Sequence, residues 1–181
     1  MGKGIAASLL MAMVMSFLFE WGKKSTSPAV VLRKLNQRLT QTWDQSQSSF
    51  LTMFYGVYDE ATGLLTYANA GHPAGLLLRR GGLLEELEGT GLPVGIFDEQ
   101  DWTEGQVTLQ AGDRLMLCSD GLLEAKDPEG REYGVEGAVA SLRSLVGRPL
   151  DSVLREVKEK VTEHAHGTLS DDLSLLLLEV S

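Results

Sequence analysis

Three carboxylates in this sequence stand where a carboxylate is costly. Arg114 to Ser119 is an apolar run of strand length, opened by the turn pair Gly112-Asp113 and stopped by Asp120-Gly121. Asp171 and Asp172 are placed in the same way against a second apolar run, Leu173 to Val180. An Asp beside the core needs a cation. Two carboxylates about 5 Å apart repel by roughly 3 kcal/mol at an effective dielectric of about 20, and a shared divalent ion keeps both ionised. Hard oxygen donors point to Mg²⁺ or Mn²⁺. The other reading is ordinary turn chemistry, in which Asp120 and Asp171 each begin a turn or cap a helix, and spacing alone leaves both open.

The wording of several segments taken together narrows this. Gly2-Lys3-Gly4-Ile5-Ala6-Ala7, Asn69-Ala70-Gly71-His72-Pro73, Gly91-Leu92-Pro93-Val94-Gly95, Ser119-Asp120-Gly121-Leu122-Leu123-Glu124-Ala125 and Asp171-Asp172-Leu173-Ser174 follow one another along the chain. In this order they resemble the sporulation stage II protein E (SpoIIE) type of metal-dependent protein serine phosphatase, within the type 2C superfamily. The resemblance covers nearly the whole length. It implies an α+β fold, an α-β-β-α sandwich of mainly antiparallel sheets with helices outside. It also implies hydrolysis of phosphoserine or phosphothreonine on a protein regulator by metal-activated water. Asp120 and Asp171 then correspond to two of the family's metal-binding, catalytic aspartates, with Asp172 in support. The implied cofactor is Mn²⁺ or Mg²⁺, two ions in the complete family site. The implied partners are a phosphorylated anti-anti-sigma-type protein in bacterial signalling and an upstream sensor domain, with a homodimer as a further assembly state, in the cytoplasm.

The departure from the family pattern is at the start. Family members write Gly-Asp-Val-x-Gly-Lys/His-Gly before the first helix, and that Asp bridges the two metals; here Met1 occupies the x position. The chain therefore reads as one phosphatase domain, residues 1–181, incomplete at its N-terminus and lacking the first strands. Such a chain would hold at most one ion, weakly, and have little activity by itself. Two explanations stand: an incomplete chain, or a degenerate domain that serves as a pseudophosphatase or regulator-binding module. A membrane-anchored structural domain is a third reading, resting on the apolar start.

The elements that must position these residues follow from pattern. At 181 residues the chain can bury roughly 70% of its unfolded surface. Cys118 is the only cysteine, so no disulfide forms within the chain, and it falls inside an apolar strand. A net charge of −9 with no Lys/Arg block excludes a nucleic-acid partner. Ile5 to Phe19 is apolar except for Ser8 and Ser16, short for a membrane span, and predicts a buried helix ending at Gly22. Ser27-Pro28 opens an amphipathic second helix carrying Val31, Leu32, Leu35, Leu39 and Trp43.

Asp44 to Ser49 reads as a loop. Phe50 to Tyr58 and Leu64 to Ala68 form a hairpin through Asp59–Gly63, and Leu76 to Arg79 and Leu83 to Leu87 form another around Gly81-Gly82. A further meander joins Val107–Leu109 to Arg114–Ser119 through Ala111-Gly112. Asp127 to Gly130 is a surface turn, Val135 to Val146 and a segment from Pro149 are helices, and Leu173 to Val180 is a buried strand. His72, between Gly and Pro in a turn, has a structural role or assists a leaving group. Glu124 packs or hydrogen-bonds, and His164 and His166 lie exposed at the end of a charged helix.

Overall fold

The computed structural model describes residues 5–42, 50–144 and 146–181. Gly2-Lys3-Gly4 of the first motif, Trp43, the Asp44 to Ser49 loop and Leu145 lie outside them. The chain divides into two compact units, Met1–His72 with Gly89–Thr108, and Pro73–Glu88 with Leu109–Ser181.

The first unit contains helices α1 (Ile5–Trp21) and α2 (Pro28–Thr42) and strands β1 (Met53–Asp59), β2 (Leu64–Ala70) and β5 (Gly105–Thr108). Pro28 opens α2 where its missing N–H costs nothing, and Ser27 Oγ accepts the Val30 N–H at 3.3 Å, as expected of an N-cap. Val31, Leu32, Leu35 and Leu39 are buried at helical spacing. Gly63, at φ 70°, turns β1 into β2, and β5 adds to the other edge of β2, all antiparallel.

The helix α1 is present but is not the buried helix the sequence predicts. Val14 is 3% exposed and Leu10, Met13, Phe17 and Leu18 pack on the core with it, whereas Ile5 is 82% and Phe19 77% exposed. A helix that is apolar all round carries no stripe to say which side faces inward, and here only one side does. Among the described residues no helix is long and apolar enough to cross a membrane.

The second unit contains β3 (Gly75–Leu78), β4 (Leu84–Leu87), β6 (Arg114–Cys118) and β7 (Leu175–Glu179) in the order β4-β3-β6-β7, with helices α3 (Asp120–Leu123), α4 (Gly134–Ser144) and α5 (Leu150–His164). Val153, Val157 and Val161 of α5 are fully buried against Leu76, Leu78, Met116, Cys118 and Leu177.

Two expectations are corrected in this unit. The predicted meander between β5 and β6 does not form, because β5 pairs with β2 and β6 lies between β3 and β7. The turn at Gly112 binds β7 instead: its N–H donates to the Val180 carbonyl at 2.7 Å, and the Val180 N–H to the Asp113 carbonyl at 3.1 Å. Nor is the last strand buried throughout. As the edge of the described sheet, β7 buries Leu177 but leaves Leu176 61% exposed, and four successive leucines give no alternation by which to foresee this.

Candidate functional site

Strand β6 delivers Asp120. Its residues Leu115, Met116 and Cys118 are buried, the strand ends at Cys118, and Asp120 is the exposed first residue of α3 rather than a carboxylate sunk beside the core. Sequence could not show this, because the apolar run stops at the same place whether a strand or a helix follows. The loop before β7 delivers Asp171 and Asp172, also exposed.

These two segments touch. Ser119 Oγ donates to the Asp172 carbonyl at 3.0 Å and accepts the Ser174 N–H at 2.9 Å, while the Ser119 N–H donates to the Ser174 carbonyl at 3.0 Å. On the far side of Asp120, a Cβ added to Gly121 would run into the Asp172 carbonyl oxygen. The residues on both sides of Asp120 thus rest on Asp172, although about fifty residues separate them in the chain.

The donor set is hard. One oxygen of Asp120 accepts the Gly121 N–H at 3.0 Å and one of Asp171 accepts the Asp172 N–H at 2.8 Å, which leaves each carboxylate a second oxygen. Among the described residues no Lys or Arg forms an ion pair with Asp120, Asp171 or Asp172. Burial pushes the Cys118 thiol up to about 11, helped by the nearby negative charge of Asp120. Carboxylate oxygens without a protein cation suit Mg²⁺ or Mn²⁺. Among the described residues no group of three or more His, Cys, Asp or Glu is gathered for a metal ion, so these aspartates present a small ligand set.

The other singled-out residues fall elsewhere. His72 is in the first unit, its N–H donating to Oδ1 of the fully buried Asn69 at 2.9 Å. Two motifs interlock around it: Gly71, at φ 69°, lies against the Pro93 ring, Ala70 bridges Gly91, and Thr90 N–H donates to the Asn69 carbonyl at 2.9 Å. Glu124 is exposed at the C-cap of α3. His166 is exposed, but His164 is not merely so: its ring meets Tyr133 edge-on at 5.3 Å and its Nε2 lies 3.0 Å from the Arg131 carbonyl.

Sequence reasoning missed Ser119, whose partners lie far along the chain, and it missed an arginine-lined cleft of about 480 Å³ at the opposite end of β6. Of its arginines, Arg79 pairs with Glu85 and Asp113, Arg114 with Glu179 on the cleft wall, and Arg148 with Glu156.

Comparison with known proteins bears on the family and the fold. The family model described as Stage II sporulation protein E (SpoIIE) matches residues 1–181. The chain is 34% identical over 162 residues to the phosphoserine phosphatase RsbU of Bacillus subtilis, a match that covers 85% of this chain and 48% of RsbU. It thus spans about half the length of that relative. Among solved structures, the SiaA-PP2C domain of Pseudomonas aeruginosa superposes with a TM-score of 0.86 at 18% identity, over 98% of this chain and 72% of that one. RsbX in complex with magnesium superposes with a TM-score of 0.70 at 16% identity, over 100% of this chain and 77% of that one. The fold is the α+β fold of these neighbours.

Proposed function

The chain belongs to the SpoIIE family, and from that premise we propose that it is a metal-dependent protein phosphatase that hydrolyses phosphoserine or phosphothreonine on a bacterial regulator of the anti-anti-sigma type. The observation that carries this reading is the contact between the Asp120 and Asp171-Asp172 segments, which offers carboxylates that no Lys or Arg among the described residues neutralises. Residues 1–181 act as one phosphatase domain, a reading supported by a family match that runs over all of them. The protein acts in the cytoplasm, coupled to a sensor domain of a longer protein.

Asp120 and Asp171 would hold the ion, Mn²⁺ or Mg²⁺, through the carboxylate oxygens not engaged by backbone N–H groups. When bound, such an ion would supply Lewis acidity toward a phosphoryl oxygen and acidify water toward neutrality. The protein's own part is to fix the two carboxylates relative to each other and to keep the site open to a protein-borne phosphate. Both aspartates are exposed, which suits a substrate that arrives on a surface loop. On a chain of net charge −9 an anionic substrate needs the local negative charge offset, which a cation held by these ligands would supply.

A second reading has its own support. Because no group of three or more ligating side chains is gathered among the described residues, the chain also fits a regulator-binding module of low catalytic power. The test is release of phosphate from a phosphoserine protein substrate with and without Mn²⁺, in wild type, Asp120→Asn and Asp171→Asn. Mn²⁺-dependent turnover lost in both variants supports the phosphatase. Substrate binding without turnover in all three supports the binding module.

A further inference from the structure

Ser119 occupies the N-cap position of α3 with extended backbone angles, φ −69° and ψ 162°. A serine there ordinarily uses its oxygen to accept an N–H from the first turn of its own helix. Ser119 makes no such bond. Its hydroxyl reaches across to the other loop instead, donating to the Asp172 carbonyl at 3.0 Å and accepting the Ser174 N–H at 2.9 Å. The strand ladder supplies a third link, Ser119 N–H to the Ser174 carbonyl at 3.0 Å.

The two side-chain bonds have different consequences from the ladder. Register between β6 and β7 is already set by five paired residues from Arg114↔Glu179 to Cys118↔Leu175. The hydroxyl is not needed for that register. What it adds is a hydrogen bond that fixes the peptide at Asp172, beyond the last strand pair. Asp171 and Asp172 hang from that peptide, and Asp120 is the next residue after Ser119. A hydroxyl is the smallest group that can both donate to a carbonyl and accept from an N–H two residues further on.

We propose that Ser119 is a positioning residue of the metal site: its hydroxyl clamps the Asp172–Ser174 backbone so that the Asp171 and Asp120 carboxylates are presented together. This rests on the metal-binding reading above. The clamp touches neither ion nor substrate and acts through the two aspartates. The β6–β7 ladder stands without the hydroxyl, so its removal falls on ligand placement more than on folding.

The experiment compares wild type, Ser119→Ala, Ser119→Thr and Asp120→Asn by titration of free Mn²⁺ with electron paramagnetic resonance, alongside melting in EDTA and hydrogen exchange at the Ser174 amide. Wild type should bind Mn²⁺, Ser119→Ala should bind about tenfold more weakly with a nearly unchanged EDTA melting temperature and faster Ser174 exchange, and Ser119→Thr should restore both. Equal Mn²⁺ affinity in wild type and Ser119→Ala overturns the positioning role while leaving the metal site intact. A Thr variant no better than Ala, or a loss of affinity matched by loss of the fold in EDTA, overturns it as well. If wild type and Asp120→Asn alike fail to bind Mn²⁺, the metal reading falls and the proposal with it.

Discussion

Gly121 and Asp172 are in contact through backbone alone: the place a side chain would take on Gly121 is filled by the carbonyl oxygen of Asp172. Glycine is required here by close approach rather than by dihedral angle, since Gly121 is not among the positive-φ glycines. Gly121→Ala should therefore force the two loops apart and cost about 1–3 kcal/mol, as overpacking does. At about 2–4 °C per kcal/mol for a chain of this size, a thermal melt will resolve it. An unchanged melting temperature would mean that the loops separate freely.

Asp120 and Asp171 should behave as one site. In EDTA, replacing either by Asn relieves repulsion between exposed carboxylates and should stabilise the chain by less than about 1 kcal/mol. With a Kd of about 1 mM, Mn²⁺ at about 10 mM should stabilise wild type by about 1.4 kcal/mol, and either substitution should abolish most of that response. The double variant should lose no more than either single one. Additive losses in the melting curves would mean that the aspartates bind separate ions.

Asp113 should make stability depend on acid. It is buried, and burial alone would raise its pKa, but hydrogen bonds from the Gln110 N–H, the Arg79 guanidinium and the Arg80 N–H together hold it below the usual carboxylate value. A carboxylate depressed in the folded state contributes stability that is fully present above its unfolded pKa and is lost as pH falls through the folded one. Asp113→Asn should cost about 3 kcal/mol at neutral pH, since it removes a buried carboxylate that accepts from Arg79 and from two backbone N–H groups, and its gap to wild type should narrow as pH falls below about 4. Denaturant midpoints at neutral and acid pH check this, and a gap that widened on acidification would reverse the sign.

The two sides of α1 should answer differently to charge. Val14→Asp places an unpaired carboxylate in the core of the first unit and should cost several kcal/mol. Phe19→Asp, on the exposed side, should stay within about 0.5 kcal/mol. Equal destabilisation by both would show that the helix is enclosed on every side in solution.

What the sequence disclosed depended on whether a signal was local. The β1–β2 and β3–β4 hairpins were legible because Gly63 and Gly82 take the positive φ that their turns demand. The α2 face was legible from helical spacing. The separation of β5 from β6 was not, because Ala111-Gly112 looks like any hairpin turn, and only the bonds from Gly112 and Asp113 to Val180 reveal the real neighbour. At the site, residue identity picked out Asp120 and Asp171, but whether they were sunk or exposed depended on how α3 begins. Ser119 stood in the motif, but nothing there told of its partners. A serine before Asp-Gly reads as a cap, and its actual partners are Asp172 and Ser174.

Cys118 gives these loops a chemical clock. It is the only thiol in the chain, buried in β6 and adjacent to Ser119, so an alkylating reagent can reach it only when the end of the sheet opens. Where opening and closing are fast, the labelling rate is the intrinsic thiol rate scaled by the open fraction, and it measures the free energy of that local opening. The molecule therefore carries, without any added probe, a kinetic readout of how tightly its two acidic loops are joined, one that can be followed by mass on a single residue while the rest of the chain stays folded.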